Sequence, residues 1–192
     1  MRIGIFGGSF NPIHNGHLKL TREALSELNL DRIYFVPSYR TPFKKKEDLL
    51  PDSLRLRLLK TALKGRPEFF ISPCEMRRKG MSYTVDTLRF FRKKFGKRAQ
   101  LFFLAGGDTL KNLPRWKSLK EVLKMSRFIV MTRPGYKAGR VPAGVAFVPL
   151  DALPISASDI RMRLKSGRSV RGLVPLGTER LLRSLRRPRN DT

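Results

Sequence analysis

The two histidines of the chain, His14 and His17, lie three residues apart in a glycine-rich loop. The loop reads GGSFNPIHNGH and follows a short apolar run. Imidazoles at the start of a helix can donate hydrogen bonds to phosphate oxygens and stabilise charge that develops during phosphoryl transfer. The same pair could instead cap or pack the helix, or ligate a metal. Zinc is disfavoured because no cysteine lies nearby and carboxylates are sparse.

The loop begins with two glycines, Gly7 and Gly8. Glycine lets the backbone approach a ligand closely, and backbone amides in such a loop can bind phosphate oxygens. The spacing is neither GxGxxG nor GxxxxGK[ST], so it supports neither a dinucleotide-binding fingerprint nor a P-loop. The sequence therefore indicates an anion-binding loop of a different type.

A second polar segment, ISASDIR at residues 155–161, leads into a predicted helix. The hydroxyls of Ser156 and Ser158, the neighbouring backbone amides and the guanidinium of Arg161 could converge on a triphosphate. Ser158 could equally be an ordinary N-cap, and Arg161 an ordinary solvated side chain. Both interpretations stay open on these residues alone.

Three segments between these motifs carry further candidate residues. Asp108 follows Gly106 at a predicted strand end, where its carboxylate could accept hydrogen bonds from ribose hydroxyls or cap the next helix. Thr84 is placed to cap another helix. Trp116 is the only tryptophan, and its proline, arginine and lysine neighbours make it poorly placed for a core. An exposed indole there could stack on a pyridine base.

The elements that must position these residues alternate along the chain. Strands are predicted at residues 2–6, 32–36, 69–71, 100–105, 127–132 and 145–149. Helices are predicted at residues 17–28, 51–63, 84–95, 118–125 and 158–164, with a last one from Pro175 to about 185. This alternation predicts an α/β, Rossmann-like, doubly wound parallel sheet with helices on both faces and a small C-terminal helical part, about residues 156–186.

The composition suits a globular protein. The chain has 192 residues, of which 41% are hydrophobic, so we expect one domain over residues 1–186 and a loose basic tail at 187–192. No apolar run approaches the roughly 20 residues of a membrane span, and residues 1–6 lack the features of a signal peptide. The single cysteine, Cys74, excludes an intrachain disulfide framework. These points predict a cytoplasmic location and no membrane partner.

The net charge is extreme, at +26 from 41 Lys and Arg against 15 Asp and Glu. Such a surface attracts nucleotides, pyrophosphate, nucleic acid or anionic lipid, although it can also simply favour solubility. A nucleic-acid-binding module is therefore the non-enzymatic alternative, motivated also by the arginine-rich end at residues 180–189. The chain has no recognisable nucleic-acid motif and lacks interleaved aromatic and basic residues, which disfavours it.

The motifs resemble those of a known family. HNGH at residues 14–17 resembles the HxGH signature of the nucleotidyltransferase superfamily, and the whole string at 7–17 resembles the opening of bacterial nicotinate-nucleotide adenylyltransferases. The segment at 155–161 is similar to the ISSTxIR motif of that family. Ala157 stands in place of its middle serine, and Ser158 in place of its threonine.

The intervening segments resemble the same family. GGD at residues 106–108 is similar to its G-x-D element, YTVDTL at 83–88 to its YTxDTL stretch, and Trp116 stands where it has a tryptophan. The VPSYRTPFK loop resembles its PxxxxPHK loop, with Phe43 in place of histidine while Lys44 retains the cation.

Asn11 stands where many members have aspartate. The Val-Pro pair at residues 174–175 resembles the element before the last helix of the family. The resemblance runs in order from residue 3 to about residue 185.

The resemblance implies an enzyme of NAD biosynthesis that transfers the adenylyl group of ATP to nicotinate mononucleotide, with nicotinate adenine dinucleotide and pyrophosphate as products. It implies Mg²⁺ carried by the ATP phosphates and no metal held by the protein. The implied catalytic residues are His14, His17 and Arg161. The implied ATP-binding residues are Gly7, Gly8, Ser9, Phe10, Gly16, Gly106, Asp108, Ser156 and Ser158. The implied mononucleotide-binding residues are Asn11, Lys44, Tyr83, Thr84 and Trp116.

Two alternatives stay open within the enzyme class. The substrate could be nicotinamide mononucleotide, or the chain could be another adenylyltransferase of the HxGH type. The sequence also leaves open a homo-oligomer and the role of the basic tail.

Overall fold

The computed structural model describes residues 1–42, 49–132, 142–151 and 153–185, without the side chain of Asp108. Its described part contains a six-stranded sheet in the order β3-β2-β1-β4-β5-β6, with every neighbouring pair parallel. The strands are β1 (Arg2–Gly8), β2 (Arg32–Pro37), β3 (Phe69–Ile71), β4 (Gln100–Gly106), β5 (Arg127–Thr132) and β6 (Val145–Pro149). This is the order of a doubly wound nucleotide-binding sheet, and it confirms the predicted fold class.

The helices lie between the strands in the predicted alternation. They are α1 (Asn15–Glu27), α2 (Asp52–Leu63), α3 (Cys74–Arg78), α4 (Thr84–Phe95), α5 (Leu119–Met125), α6 (Ala157–Lys165) and α7 (Leu176–Ser184). A 3₁₀ segment covers Gly107–Arg115. The sequence did not predict α3 or the 3₁₀ segment. With five residues, α3 is too short to show an apolar periodicity. Pro114 interrupts the helical pattern of the 3₁₀ segment.

The caps of three helices differ from the expectation. α1 begins at Asn15 rather than His17, because His14 caps it. α6 is capped by Ser156 rather than Ser158, because the Ser156 hydroxyl accepts a hydrogen bond from the Asp159 N–H at 3.0 Å. Thr84 is the first residue of α4 and does not cap it.

Two hydrophobic cores lie on opposite faces of the sheet, so the helices cover both faces as predicted. One core joins α1, α2, α6 and α7 to the sheet through residues such as Leu18, Leu58, Ile160 and Leu182. The other joins α3, α4 and α5 through residues such as Cys74, Val85, Phe91 and Val122. No helix of the described residues is long and apolar enough to cross a membrane.

The C-terminal helices pack back onto the first core. A Cβ atom on Gly177 in α7 would lie 2.8 Å from Cγ2 of Thr61 in α2, so glycine permits the close approach of the two helices. The predicted tail at residues 187–192 lies outside the described residues.

The strand order places two loops beside each other. β1 and β4 are adjacent in the sheet, with Ile5 opposite Phe103. The helix after β1 packs on one face, and α5 after β4 packs on the other. The crevice beyond Gly8 and Gly106 is therefore the topological switch point, where ligands bind in open α/β sheets.

Candidate active site

The two histidines cap the same turn of α1. Nδ1 of His14 accepts a hydrogen bond from the His17 N–H at 3.3 Å, and Nδ1 of His17 accepts one from the His14 N–H at 3.3 Å. Their rings stack with centroids 3.6 Å apart. The HxxH spacing therefore forms a capping box in which imidazoles replace the usual hydroxyl and carboxylate.

This arrangement selects one tautomer of each ring. Because each Nδ1 accepts a backbone N–H, a neutral ring must carry its proton on Nε2. Burial lowers the pKa of the His14 imidazole to about 4, so His14 is neutral near pH 7. The His17 ring is held edge-on against Phe6 and Phe10, with centroid distances of 5.8 and 5.3 Å. The Nε2–H groups are the donors that these rings can offer a phosphate.

Gly16 separates the two histidines and is buried. A Cβ atom at this position would lie 3.0 Å from Nδ1 of His14 and 3.7 Å from Cβ of Ile155. A larger residue would push against the capping imidazole. Glycine thus leaves room for the His14 ring and for the loop that leads into α6.

Arg161 joins the two sequence motifs. Its Nη1 donates to the carbonyl oxygen of Asn11 at 3.0 Å, and its Nη2 donates to the Ser158 hydroxyl at 3.3 Å. The glycine loop and the start of α6 therefore meet, although about 150 residues separate them in the chain. A triphosphate site between the two segments requires this arrangement.

The start of α6 presents exposed serines on this side. The Ser156 hydroxyl accepts from Asp159 N–H and can still donate its own hydrogen. Ser158 is exposed in the first turn, where the helix dipole and backbone N–H groups favour an anion. Ala157, one of the two departures from the family motif, is the first residue of the helix.

Asn15 ties α1 to the segment before α7. Its N–H donates to the carbonyl oxygen of Leu173 at 2.9 Å, and its Nδ2 donates to that of Gly172 at 2.8 Å. The C-terminal part therefore holds the first turn of α1 at a second point.

Two predicted residues of the glycine loop are buried. The Phe10 ring is 1% exposed and packs against Phe6 and Phe35, so any contact of Phe10 with ATP falls to its backbone. The Asn11 side chain is 2% exposed, and its Oδ1 accepts from the Leu50 N–H at 2.8 Å. Asn11 thus ties this loop to the chain segment that precedes α2.

Trp116 differs in part from the prediction. Its half-buried ring lies edge-on to Phe103 and Phe128, with centroid distances of 5.8 and 5.5 Å, because the 3₁₀ segment returns over the sheet. The ring therefore packs on the second core, contrary to the expectation of poor core placement. Phe103 also lies 3.5 Å from the position that a Cβ atom on Gly7 would take. The Phe103 ring therefore lies between Trp116 and Gly7.

Tyr83 and Thr84 are half-buried at the start of α4. The Nζ of Lys117 lies 4.5 Å from the centroid of the Tyr83 ring, which places a cation beside this aromatic side chain. Gly106 is half-buried at the end of β4, and the backbone of Asp108 belongs to the 3₁₀ segment. Lys44 and Phe43 lie outside the described residues.

A buried carboxylate supports the segment before α4. Glu75 accepts a hydrogen bond from the Thr87 hydroxyl, and burial raises the pKa of the Glu75 carboxyl. Nearby, the Ser82 hydroxyl accepts from the Tyr39 N–H at 3.0 Å, and the Ser82 N–H donates to the Arg40 carbonyl oxygen at 2.7 Å. The loop after β2 is thereby joined to the loop before α4.

Sequence reasoning missed Glu75 and the buried Arg55. Glu75 lies in the short α3, where no pattern marks it. Arg55 does carry a signal, because it lies three, four and seven residues before the buried Leu58, Leu59 and Ala62 of α2. Periodicity therefore places Arg55 on the buried face.

The donor set of this site suits anions. Imidazole N–H, guanidinium and serine hydroxyl groups all donate to phosphate oxygens. Among the side chains that the structure describes, no group of three or more His, Cys, Asp or Glu could hold a metal ion.

Comparison with known proteins identifies relatives over nearly the whole chain. Residues 5–163 match the cytidylyltransferase-like family model. A probable nicotinate-nucleotide adenylyltransferase of Moorella thermoacetica is 37% identical, over 99% of this chain and 94% of the relative. The nicotinate-nucleotide adenylyltransferase of Bacillus subtilis is 38% identical, over 91% of each chain.

Solved structures share the fold. The nicotinic acid mononucleotide adenylyltransferase of Plasmodium falciparum complexed with NaAD has a TM-score of 0.78 at 19% identity, covering 96% of this chain and 95% of its own. A nicotinate-nucleotide adenylyltransferase from Vibrio parahaemolyticus, described as putative, has a TM-score of 0.71 at 21% identity. At these identities the likeness is one of architecture.

Proposed function

The chain belongs to the nicotinate-nucleotide adenylyltransferases of the cytidylyltransferase-like family, and from that membership we propose that it joins ATP and nicotinate mononucleotide. The products are nicotinate adenine dinucleotide and pyrophosphate, in NAD biosynthesis. The observation that carries the site assignment is the contact of Arg161 with Asn11 beside the stacked histidines.

The reaction needs no nucleophilic side chain. A phosphate oxygen of the mononucleotide is already ionised and attacks the α-phosphorus of ATP in line. The bond from the α-phosphorus to the bridging oxygen breaks, and pyrophosphate leaves with that electron pair. Catalysis then depends on positioning the substrates and stabilising the developing charge.

His14 and His17 are proposed to contact the ATP phosphates, with His17 nearest the reacting phosphorus. Their Nε2–H groups donate to phosphate oxygens without first taking up a proton. Gly7 and Gly8 were expected in the loop but are the last residues of β1. Their backbone, with that of Ser9 and Phe10 in the loop and of Gly16 in α1, is proposed to bind the same phosphates. Burial keeps the His14 ring neutral, so it acts as a dipolar donor, not as a cation.

Arg161, Ser156 and Ser158 are proposed to hold the β- and γ-phosphates. The guanidinium and hydroxyl groups lie at the positive N-terminus of α6, which favours an anion. Gly106 and Asp108, at the end of β4, are proposed to contact the adenosine.

The mononucleotide is proposed to bind at Asn11, Lys44, Tyr83, Thr84 and Trp116, of which Tyr83 and Trp116 pack against the second core. Trp116 offers a half-buried ring for stacking on the pyridine base. Lys117 adds a cation over Tyr83, which favours the carboxylate of nicotinate over the amide of nicotinamide.

Mg²⁺ is proposed to arrive with ATP, because the donor groups of the site bind phosphate oxygens and leave the cation to the nucleotide. Bound there, the ion neutralises phosphate charge. The protein contributes the hydrogen-bond donors described above.

Product analysis tests this function. Purified protein incubated with Mg²⁺, ATP and nicotinate mononucleotide should form nicotinate adenine dinucleotide and pyrophosphate in equal amounts, measured by mass spectrometry and a pyrophosphate assay. Turnover of neither substrate would contradict the proposal.

The single tryptophan allows a fluorescence test of mononucleotide binding. Nicotinate mononucleotide should quench the intrinsic tryptophan fluorescence in a saturable way, because the only indole lies at the proposed base site. A Trp116→Phe variant keeps an aromatic ring against Phe103 and is expected to raise the KM for the mononucleotide more than that for ATP.

A further inference from the structure

Arg55 is the largest side chain that the described structure buries completely, with 0% of its surface exposed. Burying a charge is costly unless the group is paired and hydrogen-bonded. The partners of Arg55 include the backbone of Ser9 in the glycine loop, so this buried cation is tied directly to the candidate active site.

The guanidinium of Arg55 joins three points of the chain. Nη1 donates to the carbonyl oxygen of Ser9 at 2.7 Å, and Nε donates to that of Leu50 at 3.2 Å. Nη2 donates to Oδ1 of Asp52 at 2.5 Å. The Asp52 side chain is 41% exposed, so the buried cation is paired with a carboxylate at the surface.

Arg55 is connected to two residues of the glycine loop that the proposed function assigns to different substrates. Ser9, proposed for ATP, accepts a hydrogen bond directly from Arg55. Asn11, proposed for the mononucleotide, is connected through Leu50, which lies in the described segment before α2. The Leu50 N–H donates to Oδ1 of Asn11, and the Leu50 carbonyl oxygen accepts from Nε of Arg55. The backbone of Leu50 therefore connects Arg55 to the glycine loop.

Two arginines therefore hold the glycine loop at carbonyl oxygens two residues apart. Arg161 from α6 donates to the carbonyl of Asn11, and Arg55 from α2 donates to that of Ser9. Arg161 is half-buried and near the proposed triphosphate site, whereas Arg55 is wholly enclosed. Arg55 thus contributes through the loops it fixes.

We propose that Arg55 is a positioning residue that fixes the glycine loop directly at Ser9 and through Leu50 at Asn11, and so sets the relative placement of ATP and the mononucleotide. The proposal rests on the function proposed above. In-line transfer depends on the separation of the two reacting groups, and an error of about 1 Å can cost roughly 100-fold in rate.

Arg55→Lys is the decisive variant, because lysine keeps the charge but lacks the planar fork that spans three acceptors. Arg57→Lys is its matched control, since Arg57 is exposed two residues further along the same helix. For both variants and the parent, circular dichroism melts define a temperature at which each protein is folded. There, kcat and the KM for each substrate are measured.

Arg55→Lys is expected to lower kcat/KM at least tenfold and to raise the KM for the mononucleotide, while Arg57→Lys stays within twofold of the parent. A purely structural role would lower the folded fraction, and hence kcat, with both KM values unchanged. A folded Arg55→Lys variant with parental kcat and KM values, or with a change in kcat that follows only the folded fraction, overturns the proposal.

If Arg55→Lys does not fold, Asp52→Asn replaces it, because Asp52 lies at the surface and only its pairing with Arg55 is weakened. Its KM for the mononucleotide is expected to rise about threefold, and an unchanged KM overturns the proposal. Absence of turnover by the parent protein would count against the proposed function instead, so the two failures are distinguishable.

Discussion

His14 and His17 combine a structural and a chemical task in each ring. One nitrogen of each accepts a backbone N–H in the capping box, and this sets the other nitrogen as a proton donor. A hydroxyl or carboxylate cap would satisfy the helix without providing that second donor. The chemistry of the site therefore depends on imidazole at both positions.

Replacing His17 by alanine is expected to lower kcat by roughly 10²–10³, the usual cost of losing one donor to a transition-state charge. Steady-state pyrophosphate release measures this. His17→Gln is the control, because glutamine at this helix position keeps an acceptor for the capping box. If His17→Gln were as active as the parent protein, His17 would serve only as a cap.

His14 predicts an acid-sensitive stability. Its pKa is lowered from 6.5 to about 4 in the folded state, so between these pH values the unfolded chain binds a proton more readily than the folded chain does. Stability should therefore fall as pH drops from about 6.5 to 4, by about 3 kcal/mol from this group. Urea unfolding at pH 7 and pH 4.5 measures the loss. His14→Asn, a good N-cap that does not titrate, should lose less; an equal loss would refute the assignment.

At the scale of elements, the strands were predictable because buried parallel strands appear as continuous apolar runs, such as Leu101 to Ala105. Their crossing helices followed from apolar periodicity. α3 and the 3₁₀ segment were not predictable, because neither is long or regular enough to show an apolar periodicity. Helix starts shifted where a side chain outside the apolar pattern supplied the cap, as His14 and Ser156 do.

The candidate site also has parts that the sequence predicts and parts that it does not. Its glycine loop and α6 start were predictable as segments at strand and helix ends, where ligands bind. The pairing of Arg55 with Ser9, and the link from Glu75 to Thr87, depend on segments that meet only in the folded chain. A one-dimensional pattern can place Arg55 on a buried face, but it does not specify the partner.

Gly16→Ala tests how the first turn of α1 is built. The added methyl would crowd Nδ1 of His14 at 3.0 Å, so the ring must shift. The crowding destabilises the folded state, whereas alanine stabilises the helix by up to about 1 kcal/mol relative to glycine. Because these two effects oppose each other, the melting temperature should change little. We expect kcat to fall roughly 10- to 100-fold because the His14 donor is displaced. Parental kcat in a folded variant would show that ring placement is not critical.

At the scale of the whole molecule, the sheet brings the glycine loop, the end of β4 and the start of α6 to one edge. The net charge of +26 gives the whole molecule a positive potential that attracts anionic substrates. One domain over residues 1–186 stays a prediction, and the role of the basic tail and the oligomeric state stay open.

Electrostatic steering predicts that association slows with salt. Stopped-flow quenching of the single tryptophan, recorded as nicotinate mononucleotide binds, should give a rate constant that falls as NaCl rises from 10 mM to 500 mM. Raising the concentration of a neutral solute to matched viscosity is the control. A rate constant independent of salt would exclude steering by the basic surface.

The proposed activity and substrate are tested together by comparing two mononucleotides in one assay. The rate of pyrophosphate release is measured with ATP and either nicotinate mononucleotide or nicotinamide mononucleotide, and kcat/KM is obtained for each. If the site acts as proposed, kcat/KM is at least tenfold higher for the nicotinate form, and His17→Ala loses nearly all activity with both mononucleotides. A preference for the amide form, or a His17→Ala variant as active as the parent, would contradict the proposal.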